Sequence, residues 1–120
     1  MPIQHVLIVD DSKTEQMFMS SIIQKNGMTV SVADDADAAM AELARNKPDL
    51  ILMDVVMPGL NGYQATRTLT RDEATKHIPI IVCTSKGQET DKIWGLRQGA
   101  HDYMTKPING EELLMKIAAL

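Results

Sequence analysis

Aromatic residues are scarce in this chain: one Phe, one Trp and two Tyr make up 3% of its 120 residues. Core volume must then come from elsewhere, and nine methionines offer soft, adaptable filling. Cysteine is scarcer still. The single thiol, Cys83, excludes an internal disulfide or a thiolate metal site, and its apolar sequence neighbours point to core packing. Positive charge is in deficit, with 12 Lys and Arg against 16 Asp and Glu. The resulting net charge of −4 argues against a nucleic-acid partner, which selects for basic faces. No apolar run approaches the roughly 20 residues of a membrane span, so no membrane insertion is expected. Met1-Pro2-Ile3-Gln4 carries neither the basic nor the apolar region of a signal peptide. Repeats, low-complexity segments and a dinucleotide-binding glycine fingerprint are all missing. The expectation is one cytoplasmic domain over residues 1–120, long enough for one core and too short for a second module.

What is present is organised around Leu50-Ile51-Leu52-Met53-Asp54. Four large apolar residues bounded by Pro48 and Pro58-Gly59 predict a buried central strand, and its last side chain is a carboxylate. Three other predicted strands also end in polar side chains. His5 to Val9 leads into Asp10-Asp11, Ile78 to Cys83 into Thr84-Ser85, and a run from Asp102 into Lys106-Pro107. Open α/β sheets place ligands at the carboxyl ends of their strands. Four strand ends thus bring three acids, two hydroxyls and one amine toward one edge.

Helical signals separate these strands. Ser12 and Glu15 form a capping box, followed by an apolar stripe of Met17, Phe18, Ile22 and Ile23 and a stop at Asn26-Gly27. Thr29 to Val32 is β-prone. Asp34-Asp35 caps a helix in which Ala36, Ala39, Met40 and Leu43 follow the i, i+3, i+4, i+7 template, and Asn46-Lys47-Pro48 stops it. Asn61 caps a third helix through about Thr70, and residues 71–77 read as a polar connection. A fourth spans roughly Gln88 to Gln98, ended by Gly99. Asn109 caps a fifth, with Leu113, Leu114, Ile117 and Ala118 as its buried stripe. Fivefold strand–helix alternation predicts an α/β fold: a doubly wound, five-stranded parallel sheet with right-handed crossovers. The flavodoxin-like order 2-1-3-4-5 is adopted from that known class rather than deduced, and it puts the switch point between strands 1 and 3. Asp10, Asp11 and Asp54 would meet there.

Two carboxylates about 5 Å apart repel by roughly 3 kcal/mol at an effective dielectric near 20. A divalent cation relieves this, and an all-oxygen set favours Mg²⁺ over Zn²⁺. One carboxylate, Asp54, is then left to attack phosphorus as a nucleophile. Phosphoryl transfer depends mostly on charge neutralisation and positioning. Lys106 would supply a second positive charge and Thr84 a hydroxyl donor, and a cis Lys106–Pro107 bond would turn the amine into the site.

Asp10-Asp11, Met53-Asp54 with Met57-Pro58-Gly59 and Asn61-Gly62, Thr84-Ser85 and Lys106-Pro107 together resemble the response-regulator receiver family, over essentially the whole chain. The resemblance implies the (βα)5 receiver fold and a phosphoacceptor at Asp54. Asp11, Asp54 and the Val56 backbone carbonyl would hold Mg²⁺, with Asp10 acting through a metal-bound water. Thr84 and Tyr103 would be the switch pair, and Lys106 the phosphate contact. Partners implied are a histidine kinase with its phosphotransfer domain and a downstream protein target, for a monomer or weak dimer. Gln64-Ala65-Thr66-Arg67, Gln88 to Lys92, Trp94-Gly95 and Arg97-Gln98-Gly99-Ala100 are similar to stand-alone receivers of type IV pilus chemosensory (twitching motility) systems.

Some residues are read two ways. Tyr103 is either edge-strand packing or a ring that moves inward when Thr84 turns, remodelling the surface of the fourth helix, strand 5 and the last helix. Trp94 is either half-buried packing or a partner contact. Val56 and Lys86, flanking the water path to Asp54, are candidate modulators of hydrolysis. His5, His77 and His101 share no metal-ligand spacing. With the sequence ending at Leu120, no output domain is expected, so the output is protein binding or a phosphate sink for a shared kinase. Other classes fare worse. A phosphohydrolase of the haloacid dehalogenase type needs an acid where Val56 stands, and a flavodoxin-like cofactor module needs a glycine- and hydroxyl-rich loop where Asp10-Asp11 stands. A receiver fold working without phosphorylation would have no need of the complete acid, threonine and lysine set.

Overall fold

The computed structural model describes residues 3–54, 62–84 and 99–120. Its five strands are β1 (His5–Val9), β2 (Thr29–Ala33), β3 (Leu50–Asp54), β4 (Ile80–Thr84) and β5 (Asp102–Thr105). All pairings are parallel and the order is β2-β1-β3-β4-β5. The described helices are α1 (Lys13–Lys25), α2 (Ala36–Arg45), α3 (Gly62–Arg71) and α4 (Gly110–Ala118). None of them is long and apolar enough to cross a membrane.

Period-two alternation divides the strand side chains between two cores. Leu7, Val9, Ile51, Met53, Ile80 and Val82 face Ala36, Ala39 and Leu43 of α2 and Ala65 and Leu69 of α3. On the other face, Val6, Ile8, Leu50, Leu52, Ile81, Cys83 and Met104 meet Met19 and Ile23 of α1 and Leu113 and Ile117 of α4. Strand β3, third of five and covered on both sides, is buried over its whole length, Asp54 included. Three predicted caps close as expected. Ser12 accepts the Glu15 N–H at 3.3 Å, Asp35 that of Ala38 at 2.8 Å and Asn109 that of Glu112 at 3.0 Å, each contributing about 1 kcal/mol.

The inward face of α1 differs from the apolar-stripe expectation. Its buried residues are Gln16, Met19 and Ile23, whereas Met17 is 73% and Phe18 45% exposed and Ile22 only partly buried. The true stripe runs i, i+3, i+7 from a polar residue, so counting apolar side chains rotated the helix. Likewise Ala118 of α4 is exposed and Leu114 only partly covered. Strand β4 begins at Ile80 rather than Ile78. The Ile78 N–H turns back to the Thr75 carbonyl, and Pro79, without an N–H, contributes only a carbonyl to Ile51. The predicted helix near residues 88–98 and the Asn61 cap lie outside the described residues.

Candidate functional site

Strand register converts four sequence segments into one pocket. Val9 is level with Met53, Asp54 with Cys83 and Thr84 with Thr105, so the next residue of β1, Asp10, and the next after β5, Lys106, emerge beside Asp54. The Lys106–Pro107 peptide is cis. Lys106 Nζ donates to Asp54 Oδ1 at 3.1 Å and to Asp10 Oδ2 at 3.2 Å, joining residues 96 positions apart. Both acids are buried, Asp10 at 1% and Asp54 at 6% exposure, while Asp11 is exposed at the pocket mouth. One carboxylate oxygen from each of Asp10, Asp11 and Asp54 lies within 4.8 Å of the others.

Asp10 is saturated with partners. Its N–H donates to the Ala33 carbonyl at 3.0 Å, and its Oδ1 accepts the Ser12 N–H at 2.9 Å. Its own carbonyl accepts Gln16 Nε2, which also donates to Asp34 Oδ1 at 2.7 Å. Lys13 Nζ reaches the same Asp34 oxygen at 2.8 Å. These hydrogen bonds, from Lys13 first and then Gln16, hold the Asp34 carboxyl below its ordinary pKa.

The electrostatics fix the charge state of the lysine. Burial disfavours the charged form of Lys106, yet the hydrogen bond and charge of Asp54, followed by the charge of Asp10, outweigh it and raise the lysine's pKa. The lysine is a fixed ammonium at neutral pH. Burial pushes the Cys83 thiol up to about 12, which removes it as a nucleophile. The donor set fits Mg²⁺: it is all oxygen, and ligands on opposite sides of that ion stand about 4 Å apart, close to the spread of the three acids.

Sequence reasoning placed Asp10, Asp11, Asp54 and Lys106 together, and the structure does the same. Thr84 ends β4 beside Thr105. Tyr103, on edge strand β5, is half-buried against the core shared with α2 and α3, with Lys116 Nζ 5.6 Å from its ring centre. Val56, Lys86 and Trp94 lie outside the described residues. Gln16 and Asp34 were not foreseen as parts of this site. Gln16 stands three and seven residues before Met19 and Ile23, but that Met19 faces inward is known from the structure and not from the sequence.

Comparison with known proteins agrees with this geometry. Residues 6–118 match the response regulator receiver domain family. The chain is 52% identical over 115 residues to Protein PilH of Pseudomonas aeruginosa, covering 96% of this chain and 95% of that one. It is 41% identical to the phosphate regulon transcriptional regulatory protein PhoB of the same species, covering 96% of this chain but only 50% of that longer protein. Among solved structures, a response regulator from Chloroflexus aurantiacus superposes with a TM-score of 0.94 at 31% identity, covering 99% of this chain and 97% of that one. The chemotaxis protein CheY4 of Vibrio cholerae superposes with a TM-score of 0.89 at 30% identity and 98% coverage of both. A switch-point pocket of three acids and a lysine, on a sheet ordered 2-1-3-4-5 and matched over nearly its whole length, makes this chain a member of the response regulator receiver domain family.

Proposed function

We propose that this chain is a phosphoacceptor signalling module: Asp54 takes a phosphoryl group from the phosphotransfer domain of a histidine kinase. The observation carrying this reading is the Lys106 ammonium held 3.1 Å from Asp54 and 3.2 Å from Asp10, with the Asp11 carboxylate opening outward beside them. In the transfer, an Asp54 carboxylate oxygen forms a bond to phosphorus while the phosphorus–nitrogen bond of the donor histidine breaks. The imidazole keeps the electron pair and takes up a proton. Lys106 turns its charge to the oxygens of the arriving group, and the Thr84 hydroxyl donates to another of them. Mg²⁺, held by Asp11, Asp54 and the Val56 carbonyl with Asp10 through a water, would neutralise charge on that group. Water returns the site to its starting state by hydrolysing the acyl phosphate, and Val56 and Lys86 set how readily it enters.

The output is a population shift at the surface of β5, α4 and the helix expected from the sequence near residues 88–98, read through Thr84 and Tyr103, with Trp94 as a partner contact. The protein bound there belongs to type IV pilus and twitching control, a reading supported by the 52% identity to PilH and by the segments around Gln64 and Gln88. The module acts in the cytoplasm as a monomer or weak dimer. Incubation with Mg²⁺ and a small acyl-phosphate donor, followed by intact mass, tests the chemistry. One phosphoryl adduct is expected on the wild type and none on Asp54→Ala. An adduct that survives this substitution sinks the assignment.

A further inference from the structure

We propose that Gln16 is a positioning residue for the acidic pocket, acting with Asp34 as a strut that orients the Asp10–Asp11 peptide for cation binding. The proposal rests on the phosphoacceptor reading and adds to it a residue outside the acid, threonine and lysine set. Gln16 is 5% exposed and occupies an inward slot of α1 otherwise filled by Met19 and Ile23. A methionine would fill nearly the same volume there and bury more apolar surface. What it lacks is the amide. Both amide hydrogens of Gln16 are engaged, one by the Asp10 carbonyl and one by Asp34 Oδ1 at 2.7 Å. Asp34, between β2 and α2, is gripped from a second direction by Lys13 Nζ at 2.8 Å, so the strut ties three parts of the chain together.

The carbonyl that Gln16 holds is the one linking the two neighbouring acids. Because the peptide unit is planar, fixing that oxygen sets the plane from which the Asp11 side chain departs. Asp10 has independent anchors for its carboxylate in the Ser12 N–H at 2.9 Å and Lys106 at 3.2 Å. Asp11 has none: among the described residues no hydrogen bond holds its exposed carboxylate, so the backbone from which it departs is the part of it that is held. Residues that orient ligands through hydrogen bonds typically change metal affinity 10- to 100-fold when removed.

Isothermal titration of the full chain with Mg²⁺, beside denaturant unfolding without the ion, separates positioning from packing. Gln16→Met is expected to stay folded and to bind Mg²⁺ about 10-fold more weakly. Asp34→Ala is expected to weaken binding by a smaller factor, and to add nothing further when combined with Gln16→Met. A folded Gln16→Met that binds Mg²⁺ like the wild type overturns the proposal and leaves the phosphoacceptor reading standing. Should Gln16→Met not fold, Asp34→Ala decides, and unchanged affinity there is equally fatal. A wild type that binds no Mg²⁺ removes both.

Discussion

At the pocket, every hydrogen-bonding group of Asp10 has a partner, and the one shared with Asp54 is Lys106. Truncating that lysine leaves two buried carboxylates facing each other. Lys106→Met is therefore expected to cost about 3 kcal/mol in urea unfolding at pH 7 without Mg²⁺, the lower end for a broken buried pair because the amine is partly solvated. The same experiment has a pH signature. The folded state raises the pKa of Lys106, so the lysine's contribution is complete below its unfolded value of about 10.4 and is lost as pH rises through the higher folded one. The gap between wild type and Lys106→Met should narrow in that alkaline window. A gap independent of pH to the alkaline limit would refute the charge pairing. Cys83 offers a second check at this scale. With its thiol buried and pushed up to about 12, it should resist thiol reagents at pH 8 until denaturant unfolds the chain.

Among the elements, α1 is where pattern and packing disagree. Met17 and Phe18 are apolar and face outward, while Gln16 is polar and faces in. Met19→Ala should lose about 2–5 kcal/mol, whereas Met17→Ala should stay within about 0.5 kcal/mol. Equal losses at the two positions would restore the stripe read from sequence. A tighter constraint falls at Gly99, just before β5. Its φ of +104° lies where side chains are strained, and a Cβ there would stand 2.7 Å from Thr70 Oγ1 at the end of α3. Gly99→Ala is expected to destabilise by more than about 1 kcal/mol, measured by thermal or urea unfolding.

Over the whole molecule, the clustered acids make folding and cation binding one linked equilibrium. Under the phosphoacceptor reading, Mg²⁺ at 100 times its dissociation constant should raise unfolding stability by about 2.7 kcal/mol. Asp11→Ala should abolish that increment. A melting temperature indifferent to Mg²⁺ in the wild type would count against the cation site. The strand ends were legible because three short apolar runs end in Asp or Thr and a fourth segment ends in Lys106, all at the same place in a strand–helix alternation. The face of α1 was not legible, because hydrophobicity assigns Gln16 to solvent. Nothing local reveals that two oxygens, from Asp10 and from Asp34, wait for its amide.

What the sequence by itself determined is therefore the alternation of elements, three of the helix caps and the identities of the four pocket residues. These are local or periodic properties, set by apolar runs a few residues long and by side chains adjacent to helix starts. Tertiary structure alone decided that Lys106 reaches across from β5 to Asp10, that Gln16 turns inward and that Met17 and Phe18 do not. Such choices depend on long-range partners, since a buried polar group is stable only where hydrogen bonds from distant parts of the chain meet it.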